Sequence, residues 1–164
     1  MKIETIILIL AIISTGIMTG VFFTWSNAVT PGIGKLGDME YLSSLQSMNR
    51  AILNTPFRII FMAAVICVAL VFAIHFKSYG SPIFWILLTA FAIYWIGAFG
   101  VTFFGNIPLN QILEKTELET ISAMDAKSLR ISIENKWNSL NWIRTYSSLS
   151  SFILLLISYL TINN

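Results

Sequence analysis

Charge is scarce in this chain. Only 11% of its 164 residues are charged, where soluble domains carry about 25%. His75 and Cys67 are the single histidine and cysteine. One of each cannot supply a transition-metal cluster with its usual ligands, and two-histidine haem ligation within one chain is impossible. No acid lies inside any long apolar run. A di-iron carboxylate bundle needs inward glutamates with histidines three residues on, so that class is excluded too. There is no Gly-rich phosphate loop, dinucleotide fingerprint or Ser-His-Asp set. A lone Cys67 cannot close an internal disulfide and reads as a small packing residue. The net charge is +2, with no basic stripe to track a phosphate backbone, so nucleic acid is not an expected partner.

What is present is apolar. The chain is 56% hydrophobic, with a mean hydropathy of +0.77. A small soluble domain has too much exterior to hide that surface. Four runs, at about 6–25, 57–76, 83–104 and 142–162, are each near the roughly 20 residues that cross the hydrocarbon of a bilayer. Without water, each must close its own backbone hydrogen bonds as a helix. We read the first as a retained span, since Gly16 to Trp25 offers no clean small-residue cleavage site. The expected fold is all-α: one integral membrane domain, a four-transmembrane-helix bundle, in an inner or plasma membrane.

The connections are unequal. "HFKSYGSP" between the second and third spans is a short turn. Thr55-Pro56 and Ser81-Pro82 place a hydroxyl cap and a proline where helices begin. The other two connections are long and lie on the opposite side, with short amphipathic helices expected in both. One is Glu40 to Leu53, after an irregular section around Pro31 to Gly37; the other starts at Pro108. Glu117 to Lys136 reads as helical, with an extended piece open at "LRISIEN". Most Lys and Arg residues sit on the long-connection side, which the positive-inside rule would place in the cytoplasm.

Nearly all the unusual polar residues share that side. Trp137, Asn141 and Arg144 are spaced for one helical face. They form either an interfacial belt or a pocket wall; a membrane arginine facing the bundle interior is a site hypothesis by default. Asn106 and Asn110 flank Pro108, as a cap and tether or as ligand contacts. Gln46, Asn49 and Arg50 sit on a short helix that either lies in the interface or folds over the bundle as a lid. Gly16 and Gly20, with Gly97 and Gly100, suit close helix packing. The remaining inventory of arginine, amides and tyrosines suits stabilising an oxyanion in a dry pocket.

Three runs occur in order: Gln46-x-x-Asn49-Arg50 with Pro56-Phe57, then Asn106-x-Pro108-Leu109-Asn110, then Trp137-Asn138-x-x-Asn141-x-x-Arg144-Thr145. Together they resemble the DUF1772 or anthrone oxygenase-like family of small four-helix membrane proteins, over nearly the whole chain. The family is named for fungal enzymes that convert anthrones to anthraquinones with molecular oxygen. The resemblance implies oxygen chemistry on an aromatic or phenolic lipophile, with no metal and no other cofactor. Asn49, Asn106, Asn110, Asn141 and Arg144 match the family's polar positions. On this reading they hold an enolate oxyanion, while Gln46, Trp25, Phe104, Trp137 and Tyr146 contact substrate. Tyr146, Asp38 or a water would be the base. The expected partners are membrane lipid, an aromatic small molecule and oxygen, with self-association left open. The alternative is a non-catalytic module that binds a lipid or quinone, or a subunit of a membrane complex.

Overall fold

The structure, a computed structural model, describes residues 2–163, with the side chain of residue 163 outside the description. The described residues form five long helices, α1 (Ile3–Ile33), α2 (Asp38–Ile52), α3 (Thr55–Ile74), α4 (Pro82–Glu114) and α5 (Ala123–Asn163), and a short 3-10 turn at Phe76–Ser78. No strand occurs among the described residues. α1, α3, α4 and α5 are each long and apolar enough to cross a bilayer. The protein is a multi-pass membrane protein with an all-α bundle.

Two helices run past the points where their prolines were expected to break them. α1 continues through Trp25–Val29 as a π-helical turn and carries Pro31 inside its last turn. The wider turn lets the Thr30 amide reach Trp25 O, and the Thr30 hydroxyl donates to the same carbonyl at 3.1 Å. A proline costs a helix one amide donor; here the neighbouring donors serve the carbonyls instead. α4 repeats the device. Tyr94–Gly100 and Thr102–Asn106 are π-helical, and Pro108 follows within Ile107–Glu114. The segment expected as a separate short helix from Pro108 is therefore the end of the third span. Each π-turn also re-aims every side chain after it.

α5 settles the stretch left open around "LRISIEN": it is helical. Ala126, Ile133, Trp137, Asn141, Ser148 and Leu155 are buried along one continuous stripe. At 41 residues the helix is about 60 Å long, roughly twice the hydrocarbon thickness. Its first half therefore projects beyond the membrane. Ser122 starts it, its hydroxyl accepting from the Asp125 amide at 3.2 Å.

Two cores result. Within the membrane, Leu8, Met18, Phe22, Val68, Leu87 and Leu155 pack together. Beyond it, α2 lays Tyr41, Leu42 and Leu45 against Leu109 and Leu113 of α4 and Ile133 and Trp137 of α5. This second core is the lid. Arg130 ties it down, donating to Leu36 O at 2.8 Å, Gly34 O at 2.7 Å, Asp38 at 3.1 Å and Glu134 at 2.7 Å. Its guanidinium also lies 4.5 Å from the Tyr41 ring centre. Burial pushes the Tyr41 hydroxyl above its ordinary range; Glu134 adds to this and Arg130 opposes it.

The caps need one correction. Asn54, not Thr55, caps α3, accepting from the Phe57 amide at 3.0 Å. Ser81 caps α4 as its sequence suggests, at 3.3 Å from the Phe84 amide. The glycine pairs also divide. A Cβ on Gly16 would lie 3.0 Å from the Phe152 ring and one on Gly97 2.6 Å from Ser147 Cβ, so both seat α5; Gly20 faces open space.

Candidate functional site

All five helices contribute to one cavity of about 360 Å³ beneath the lid. α1 gives Val21, Phe22 and Trp25; α2 gives Asn49 and Ile52, with Leu53 from the link that follows; α3 gives Phe57, Arg58, Phe61 and Met62. α4 adds Thr102, Asn106, Ile107 and Asn110, and α5 adds Trp137 and Arg144. The lining is thus mostly aromatic and aliphatic, with three amides and two guanidinium groups. It contains no carboxylate, imidazole or thiol.

The cavity exists because α3 and α4 part. Towards the short turn they touch closely: Phe72 stacks on Phe91 at 5.1 Å, and Trp95 Nε1 donates to Val65 O at 3.2 Å. The Phe61 and Phe99 rings still meet at 6.2 Å. Beyond that, the extensive packing of α3 is on Tyr94–Gly100 and does not extend to Thr102–Glu114. The gap is edged by Leu53, Met62 and Ile107, all exposed apolar side chains.

Arg144 is the floor. It is only 7% exposed, and its guanidinium lies between two aromatic rings, 4.6 Å from Phe22 and 5.4 Å from Trp137. Cation–π attraction of this kind contributes roughly 2 kcal/mol when desolvated, well below the several kcal/mol it costs to bury an ion. No acid compensates: among the described residues Arg144 forms no ion pair. Asn141 holds it instead, accepting from Arg144 Nη2. Asn141 is itself fully anchored to α1, donating to Phe22 O at 3.0 Å and to Ser26 Oγ at 2.6 Å. Ser26 Oγ lies 3.1 Å from Thr145 Oγ1, which donates to Asn141 O at 2.9 Å.

The amides form a wall. Asn110 Oδ1 accepts from Asn49 Nδ2 at 3.2 Å and from Trp137 Nε1 at 2.8 Å, joining lid, α4 and α5. Asn106 Nδ2 donates to Trp137 O at 3.4 Å. Among the described residues five buried polar side-chain atoms have no protein partner, and two of them, Arg144 Nε and Asn106 Oδ1, belong to residues of the cavity lining. A buried, unpaired donor or acceptor costs about 1–3 kcal/mol. Both of these atoms belong to side chains that line the cavity, set just behind its surface, so a ligand with complementary groups satisfies them only by displacing the atoms that cover them.

Of the residues singled out from sequence, Asn49, Asn106, Asn110, Trp25, Trp137 and Arg144 line the cavity, and Asn141 lies directly behind it. Three others are elsewhere. Gln46 donates to Leu113 O at 2.8 Å and Thr116 O at 3.3 Å, closing the end of α4. Phe104 is 80% exposed and Tyr146 61% exposed, the latter stacked on Trp142 at 5.3 Å. Both lie on the outside of the bundle; for Phe104 the reason is that the π-turns of α4 send Asn106 inward and Phe104 outward. Asp38 is engaged by Arg130, so neither protein group considered as a base reaches the cavity. Phe22, Phe57, Phe61, Thr102 and Arg58 were not anticipated. Phe57 and Phe61 are spaced one turn apart, and Arg58 is a charge inside an apolar run; those were the available signals.

The fold and site define a class: a four-span membrane protein whose lid covers an aromatic cavity floored by an unpaired arginine. Within that class, the anthrone oxygenase family matches residues 51–154, and the chain belongs to that family. No curated protein and no solved structure matches it.

Proposed function

We propose that the protein oxygenates a flat aromatic or phenolic lipophile without a cofactor, by stabilising its enolate in this cavity. One observation carries the reading: Arg144 is buried between aromatic rings, has no acid partner and leaves Nε unpaired beside an apolar cavity. A fixed donor in a dry site has its greatest effect where negative charge develops.

An anthrone-type substrate has an acidic methylene conjugated with a ring carbonyl. Its rings pack against Phe22, Trp25, Phe57 and Trp137, and its carbonyl oxygen faces the Arg144 guanidinium. Asn106 Oδ1 accepts from a neighbouring phenolic hydroxyl. Loss of a methylene proton places negative charge on the oxygen that Arg144 holds. The lining has no base, so this proton leaves to water at the rim. The enolate carbon gives electrons to molecular oxygen and forms a carbon–oxygen bond as a peroxide. Loss of water then leaves a second ring carbonyl. One oxygen atom ends in the product, and the other leaves as water with the two methylene hydrogens. In this reading the lid faces the cytoplasm, the side richer in Lys and Arg.

Oxygen uptake by the purified protein with anthrones and hydroquinones, metals chelated, tests the proposal. Wild type is expected to consume oxygen in proportion to quinone formed. Arg144→Gln is expected to lose about 10²–10³ in turnover, the scale of one oxyanion donor. Equal uptake by both would sink it. The missing base favours a second reading, a binding module for a quinone or lipid. Tight binding of anthraquinone with no oxygen uptake from any anthrone would select that one.

A further inference from the structure

The four arginines divide cleanly. Arg50 pairs with Glu114 at 2.9 Å, and Arg130 with Asp38 and Glu134 at 3.1 and 2.7 Å. Neither lines the cavity. Arg58 and Arg144 have no acid partner among the described residues, and both line it. Arg144 sits in the floor, buried, whereas Arg58 is exposed at the gap between α3 and α4. Its guanidinium also makes no hydrogen bond among the described residues. Its neighbours on the rim, Leu53, Met62 and Ile107, are exposed apolar side chains.

We propose that Arg58 determines specificity. It holds a second anionic oxygen group, a carboxylate or phenolate, at the bilayer-facing end of the ligand whose carbonyl lies at Arg144. The inference rests on the aromatic-lipophile reading above and adds the ligand's second end. A guanidinium suits this task, since its planar fork meets two oxygens at once. The same oxygen chemistry could come from the phosphate of a membrane lipid lying across the gap, so the test separates the two sources.

Anthraquinone-2-carboxylate and its methyl ester are the probes, with binding followed by quenching of tryptophan fluorescence from Trp25 and Trp137. Both carry the ring carbonyl; only one carries the acid. In dodecyl maltoside micelles, which have no phosphate, wild type is expected to prefer the acid about fivefold, equivalent to about 1 kcal/mol. Arg58→Gln is expected to remove the preference while leaving ester binding unchanged. Arg58→Glu is expected to reverse it. Because Arg58 is exposed, neither change disturbs packing, and a retained melting temperature checks this. The wild-type preference is expected again in phosphatidylglycerol bilayers. Its disappearance there would mean that lipid phosphate occupies Arg58, overturning the proposal. Retention of the preference by Arg58→Gln would overturn it as well, with the aromatic reading intact. Failure of wild type to bind either probe would remove both.

Discussion

The two cores of this molecule use the same side chains under different physics. The lid core of Tyr41, Leu42, Leu45, Leu113 and Ile133 lies beyond the hydrocarbon. There, removing apolar surface from water drives assembly at roughly 25 cal/mol per Å². The bundle core of Leu8, Val68, Leu87 and Leu155 has lipid as its competitor, and lipid tails are as apolar as leucine. Packing holds those helices together, with a few interhelical hydrogen bonds such as Trp95 Nε1 to Val65 O. The cavity lies where the two regimes meet. It combines dry aromatic walls from the bundle with amides that the lid orients from outside.

The largest effect expected from breaking this arrangement is chemical. Arg144→Gln removes the unpaired cation and is expected to lower turnover about 10²–10³-fold, read by oxygen uptake. Arg144→Lys is expected to recover only part, because an ammonium cannot lie flat between Phe22 and Trp137 while meeting Asn141. Next comes the lid. Leu45→Ala is expected to cost about 3 kcal/mol, combining lost transfer and a new cavity. Thermal unfolding in micelles and hydrogen exchange along α2 would both report it. Leu87→Ala, equally buried but within the bundle, is expected to cost less, about 1–2 kcal/mol, because the transfer term is missing. Equal losses at the two positions would show that the lid is not a water-facing core. Asn110→Ala unties Asn49 and Trp137 together and is expected to raise the substrate KM several-fold while kcat changes little. The smallest effect belongs to Phe104→Leu and Tyr146→Phe, both outside the cavity: activity is expected to stay within about twofold. A large loss at Phe104 would return it to the site.

Much of this was readable in the sequence, for identifiable reasons. Four spans follow from length and apolarity. The shared face of Trp137, Asn141 and Arg144 follows from their spacing on one unbroken helix. The ends of α1 and α4 were not readable, because Pro31 and Pro108 signal breaks only where no alternative donor exists. The Thr30 hydroxyl at Trp25 O and the π-turns before both prolines supply that alternative. The same π-turns explain Phe104, which helical counting from the third span could not place. Arg58 was passed over because an arginine near a span's end ordinarily reaches for headgroups. Its place on the cavity rim depends on α3 and α4 parting, a property of packing and not of spacing.

The link between α2 and α3 has a mechanical consequence. Only Leu53 and Asn54 separate Ile52 from Thr55, and α5 runs without interruption from the lid into the bundle. α5 gives the cavity a rigid wall, so a swing of α2 bends the chain at this two-residue link and at residues 34–37 before it. Leu53 is itself part of the cavity rim, which makes doorway and one hinge the same piece of chain.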